Sequence, residues 1–151
     1  MRMHDAVNLL SAMLLHERVG GPGGNESALT FAAAVLETDM AQGGTLCKWQ
    51  HSIAHACRGR ILAAATQAAA ARTAFEAAAE AAESHGYHLL SAMALRDLRV
   101  HVLDRDKPHG RHKAGQGGAE AQRLAGVMGK LRCSDEELEA LVRATRFWEY
   151  M

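Results

Sequence analysis

The sequence predicts an all-α fold of about seven helices stacked as antiparallel pairs, an αα-hairpin solenoid, and three observations lead there. Alanine makes up about a fifth of the 151 residues and aromatics only 5%, so helix formers abound and strand formers are thin. Glycine breaks at Gly20 to Gly24, Gly43-Gly44 and Gly86, with a long loop from Asp104 to Gly118 containing Pro108, divide the chain into segments of helical length. Between the breaks, apolar residues return at the spacing of one helix face.

Taken in order, Ala6, Leu9, Leu10, Met13 and Leu14 stripe a first helix, opened by Asp5 as N-cap and closed by Gly20. Asn25 caps a second helix running to about Gln42, and Thr45 a third running to about Ala65. Ala71, Ala74, Phe75, Ala78 and Ala82 stripe a fourth, which ends at Gly86. Leu95, Leu98 and Val102 mark a fifth within Tyr87 to Leu103, and Leu124, Val127, Met128 and Leu131 a sixth within Ala119 to Arg132. The last helix, Ser134 to Tyr150, has the clearest start: Ser134 and Glu137 fit a capping box, in which each side chain satisfies a backbone N–H of the other's residue. Leu138, Leu141, Val142 and Trp148 then follow on one face.

These elements make a single domain over residues 1–151. Residues 1–44 form a degenerate helix pair, 45–85 the best-defined pair, 86–132 an irregular pair with the long loop 104–118, and 134–151 a capping helix. Small side chains let helix axes come close, so Ala71, Ala74 and Ala78 suit a tight helix contact with Phe75 as its large knob.

The totals narrow the classes of function. Seventeen Lys and Arg balance seventeen Asp and Glu, so no field gathers polyanions or anionic lipid, and neither nucleic acid nor a membrane is expected as partner. Nine histidines would move that balance positive as pH falls. Three cysteines, at 47, 57 and 133 and without CxxC spacing, suit a reducing compartment and a cytoplasmic location. The apolar stretch Ala6 to Leu15 lacks a small-x-small cleavage site and is taken as an amphipathic helix.

The segment from about Ser52 to His85 resembles a tetratricopeptide repeat. Gly59 matches the close-packing small residue of the repeat's first helix, with Leu62 at the large position three residues on; Ala71, Phe75 and Ala78 match the signature of its second helix. In this register His55, Arg58 and Glu83 stand where the pattern has Trp, Leu and Pro. Tyr87 to Leu103 then resembles the first helix of another, irregular repeat, with Arg99 at the small position. The resemblance implies a scaffold or regulatory module that binds a peptide or partner protein in a concave groove. It implies that Arg60 and Arg96 look into that groove, where two guanidinium groups suit acidic side chains or a terminal carboxylate; Ala56 stands where a lysine would complete such a carboxylate clamp.

A second constellation is Cys47, His51 and His55, whose spacing of four places thiolate and imidazoles near one helical face within reach of a zinc ion, a fourth ligand coming from elsewhere, such as His16 or Asp39. The HExxH glutamate is missing. His85, His88, His109 and His112 stand at loop edges. Gly20 to Gly24 lacks the Gly-Lys-Ser/Thr ending of a phosphate loop, and Gly115, Gly117 and Gly118 miss the GxGxxG spacing, so both are linkers. Arg105, Lys107, Arg111 and Lys113 make a basic loop without interleaved aromatics. No nucleophile elbow, kinase motif set or paired-carboxylate motif occurs, so no catalytic residue is singled out, no enzyme is expected and no cofactor is called for. Phe147, Trp148 and Tyr150 crowd the C-terminal end, where they seal the last pair or support weak self-association of an otherwise monomeric chain.

Overall fold

A helix rich in alanine contributes little bulk to a core, so such helices pack by approaching closely around a few large side chains. The computed structural model describes Thr30, Ala34, residues 48–105 and residues 118–145. Among these residues are five α-helices: α1 (Lys48–Ala64), α2 (Ala68–Glu83), α3 (His88–Leu98), α4 (Ala119–Leu131) and α5 (Asp135–Thr145), with a π-helical turn (Arg99–Leu103) continuing α3 and no strand. The fold is all-α. Five helices stand where the sequence leads to about seven over the whole chain; the first two expected ones lie outside the described residues, apart from Thr30 and Ala34, both helical.

The α1–α2 pair runs antiparallel: Ser52 meets Ala78 at one end, and Leu62 and Ala63 join Ala71 in one apolar cluster at the other. Between them, the buried ring of Phe75 fills the space that a side chain at Gly59 would take. A Cβ on Gly59 would stand 2.7 Å from two ring carbons and 2.9 Å from a third, well inside the roughly 3.5–4.0 Å of a relaxed carbon contact. Ser52 Oγ donates to the Ala78 carbonyl at 2.9 Å in a buried bond that ties the pair together. On α2, Ala71, Ala74, Phe75, Ala78, Ala79 and Ala82 are all buried, the face that the apolar spacing anticipates.

Helix α3 is the central element. It packs on α2, α4 and α1 and also meets α5, and it buries Ser91, Ala92 and every residue from Ala94 to Leu98. A helix covered on so many sides buries charge as well as apolar surface, here Arg96 and Asp97. Two apolar clusters flank it: Phe75 with Leu62, Ala63, Ala71, Ala74 and Leu98, and Leu95 with Ala78, Ala79, Ala92, Ala94, Leu124, Val127, Met128 and Leu138. Outside the clusters, Arg72 pairs with Glu120, and Arg123 forks onto Glu83 at 2.9 and 2.7 Å, linking α2 to α4.

The fifth expected helix, taken as one run to Leu103, is corrected at its end. At Arg99 the chain widens into a π turn: the Asp104 N–H donates to the Arg99 carbonyl at 2.8 Å, five residues back, and Arg99 Nε donates to Asp104 Oδ2 at 2.9 Å. The wider turn stacks the His101 ring on Phe75 with centroids 6.2 Å apart.

Three helix ends close alike. Thr66 (φ 62°), Gly86 (φ 73°) and Arg132 (φ 51°) adopt the left-handed conformation. In each case the next N–H reaches back five residues, from Gln67 to Leu62, Tyr87 to Ala82 and Cys133 to Met128, while the left-handed residue's own N–H bonds three residues back. This is the Schellman arrangement. The capping box is present too, with the Ser134 N–H donating to Glu137 Oε2 at 2.8 Å and the Glu137 N–H to Ser134 Oγ at 3.2 Å. No helix among the described residues is long and apolar enough to cross a membrane.

Gly59→Ala should therefore destabilise the fold by about 2 kcal/mol, the overpacking against three ring carbons exceeding the roughly 1 kcal/mol gain in helix propensity. With Phe75→Leu in the same chain, the combined loss should be smaller than the sum of the two single losses. Among the described residues, nothing beyond the helix's own backbone stands within 4 Å of a Cβ added at Gly126 or Gly129 of α4, so alanine there should stabilise by up to about 1 kcal/mol each. Urea unfolding of the variants reads all of these; an unchanged midpoint for Gly59→Ala refutes the close contact.

Candidate functional site

Four helical elements bring charge to one point. Asp97, near the end of α3, has a side chain only 1% exposed, and Arg60 of α1 and Arg96 of α3 both reach it, Arg60 Nη1 at 3.3 Å from Oδ2 and Arg96 Nη1 at 3.0 Å from Oδ1. His101 of the π turn stands 4.0 Å away on the Oδ1 side. Arg96 then turns its other edge to α5, where Nε and Nη2 donate to the two carboxylate oxygens of Glu139 at 2.7 and 2.9 Å. The parallel fork is the strongest geometry available to a guanidinium and a carboxylate.

Among the described residues two guanidinium groups face two carboxylates here, and the pairing offsets part of the large penalty of desolvating charge. Burial pulls the Arg96 pKa down, but the Glu139 hydrogen bond and the Asp97 charge outweigh it, so the guanidinium is held above its ordinary value and stays charged.

Arg60 and Arg96, singled out from the sequence, thus sit together, but both guanidinium groups are turned into the bundle, with side chains 11% and 10% exposed and bound to the chain's own carboxylates. Asp97 and Glu139 were not singled out. For Asp97 a signal existed: it lies in the run Ser91 to Leu98, otherwise small or apolar but for its neighbour Arg96, and a charge in such a run needs a partner. Nothing local marks Glu139 among the acidic residues of its helix, because its partner lies 43 residues away.

Of the zinc-ligand set, Cys47 lies outside the described residues, as do His16 and Asp39. His51 and His55, half-buried, stand one turn apart on α1. Burial, reinforced by the neighbouring His51 and Arg58, lowers the His55 pKa from 6.5 to about 4, so its imidazole is neutral at neutral pH. Among the described residues, no three His, Cys, Asp or Glu side chains gather closely enough to hold a metal ion.

His85 is exposed, stacks on Tyr87 with centroids 6.2 Å apart and has Nδ1 2.8 Å from Ser84 Oγ. Arg105 Nη1 donates to the Ala63 carbonyl at 3.3 Å. Lys107, His109, Arg111, His112 and Lys113 lie outside the described residues, as do Phe147, Trp148 and Tyr150. Glu83, at the pattern's proline position, is instead a hub: it accepts from Arg123 and from Ser91 Oγ at 2.9 Å, and the Arg123 bond holds its carboxyl below the usual range.

Comparison with protein-family models, with curated proteins and with solved structures returned no match.

The His55 environment predicts a pH dependence. Unfolded, the ring takes up a proton near 6.5, and folded only near 4, so the unfolded chain binds more protons in between and stability falls as pH drops through that window. The expected loss from pH 7 to pH 4 is on the order of 2 kcal/mol, discounted for the part of the ring open to solvent. Urea unfolding across this range should show a shallower decline for His55→Gln than for the parent, with the Glu83 contribution common to both. Parallel declines refute the assignment.

Proposed function

We propose that this chain is a helical repeat module resembling tetratricopeptide repeats, which binds an acidic segment of a protein partner and serves as a scaffold or regulatory domain without chemistry of its own. The reading is supported by the order of packing, in which each of the first three helices lies against the next and α3 also lies against α1, as successive helix pairs sharing one interior require. The closely packed Gly59 and Phe75 supply the small and large positions of such a pair. The observation that carries the partner chemistry is Arg96: its guanidinium is fixed on one edge by Asp97 and receives a carboxylate in a fork on the other.

Its proposed setting is the cytoplasm, in keeping with an odd number of cysteines that lack CxxC spacing. Partner contact is proposed through Arg60 and Arg96 together, Arg60 acting from behind by holding Asp97 in place.

Alanine at either arginine would leave the buried Asp97 short of counter-charge at about 3–5 kcal/mol, so the test uses Arg96→Lys, which keeps the charge and removes the fork. An array of acidic peptides of varied sequence, each beside its amide counterpart with Gln for Glu and Asn for Asp, is assayed by fluorescence anisotropy. Acidic members should bind, the amide counterparts should not, and Arg96→Lys should weaken binding about tenfold. Absence of binding across the array, or binding indifferent to the carboxylates, overturns the reading.

A further inference from the structure

The two members of the Arg96–Glu139 fork are unequally committed. Arg96 is 10% exposed and anchored through Nη1 on Asp97, which Arg60 holds from its other oxygen. Glu139 is 42% exposed and reaches Arg96 from the solvent side. A half-exposed carboxylate regains its hydration on swinging out into water, whereas a guanidinium pinned by a buried aspartate cannot follow it and is left to pair with another carboxylate. When Glu139 leaves, the Nε and Nη2 edge of the still-charged guanidinium has given up that carboxylate and can take another in the same fork.

From this asymmetry we propose that Arg96 is a preformed carboxylate-binding site occupied in the resting fold by the chain's own Glu139, which an acidic side chain of a partner displaces. The proposal rests on the partner-binding reading above and adds its regulation: the free chain is its own competitor.

The self-ligand also shows what the site accepts. Glu139 is preceded by Leu138, which is buried against Leu124, Val127 and Met128, and it stands on a helix whose first turn carries Asp135, Glu136 and Glu137. Leu138 keeps its buried place when Glu139 swings out, so the matching partner is an acidic helix that presents a glutamate to the Arg96 edge. Competition from a tethered carboxylate lowers the apparent affinity by the fraction of time the site stands open, so removing it raises affinity without any new contact.

The probe is a capped, fluorescein-labelled helical peptide built from Glu, Ala and Leu, beside the same peptide with Gln for Glu. It is titrated against the parent, Glu139→Ala, Glu136→Ala and the Glu139→Ala/Arg96→Lys pair, after circular dichroism has established that each is folded. Glu136 is exposed on the same helix and its replacement makes the same change of charge. Glu139→Ala should bind the acidic probe about tenfold more tightly than the parent. Glu136→Ala should match the parent, and the double variant should lose the gain.

On the unmodified protein, saturating probe should shift the Arg96 Nε–H resonance in the nitrogen-15 spectrum, a measurement that holds even if a variant fails to fold. Equal binding by the parent and Glu139→Ala, an equal gain from Glu136→Ala, or an unmoved Arg96 resonance under saturating probe overturns the self-occupied site. If the peptide array still finds acidic ligands sensitive to Arg96→Lys, the broader reading survives that failure; if it finds none, both fall.

Discussion

The contact between Gly59 and Phe75 sets the spacing on which the other interactions depend. With no Cβ at position 59, the Phe75 ring lies against the backbone of α1, and the axes of α1 and α2 come closer than two ordinary side chains would let them. On its other side the same ring meets Leu98 and stacks on His101 of the π turn, so one aromatic group joins α1, α2 and the end of α3. Burying a phenylalanine stabilises by about 2–3 kcal/mol, a large share in a core built mostly of alanine. Arg60 follows Gly59 directly, so the approach that the glycine permits also decides how far Arg60 must reach to meet Asp97 at 3.3 Å.

The charged cluster is the second organising feature, and its character differs. Asp97 is nearly inaccessible, and its two arginine partners come from α1 and α3, while Glu139 adds α5. Ion pairs of this kind often do no better for stability than well-packed apolar residues of the same volume. What they impose is direction: a guanidinium accepts carboxylates only along its edges, so Arg96 between Asp97 and Glu139 constrains how α5 sits on α3. Apolar packing through Leu138 alone would tolerate small slides and rotations that the fork does not.

Much of this was legible where the physics is local or is a matter of size. The buried face of α2 follows from spacing, the match of Gly59 to Phe75 from one very small and one very large side chain in register, and the capping box from two residues three apart. What was not legible depends on distant partners or on backbone alone. The period of an apolar stripe says nothing of a π turn whose hydrogen bond runs five residues back to Arg99. Arg60 and Arg96 stand out through their register, yet Asp97 lies 37 residues from Arg60 and Glu139 lies 43 from Arg96, so the inward turn of both side chains follows from tertiary packing even though Arg96 also meets its neighbour Asp97.

The helix ends show the same limit most plainly. Glycine marks a turn at Gly86, but Thr66 and Arg132 make the same turn with side chains that ordinarily avoid a positive φ, at about 1–2 kcal/mol apiece. In all three the closing bonds run between main-chain atoms. A connection secured by main chain alone asks almost nothing of the amino acids that form it, so its spelling is free to drift over generations while the bend persists. Descent in a bundle of this type is written instead where one side chain must be missing for another to fit, and resemblance between distant cousins is to be sought in those complementary sizes.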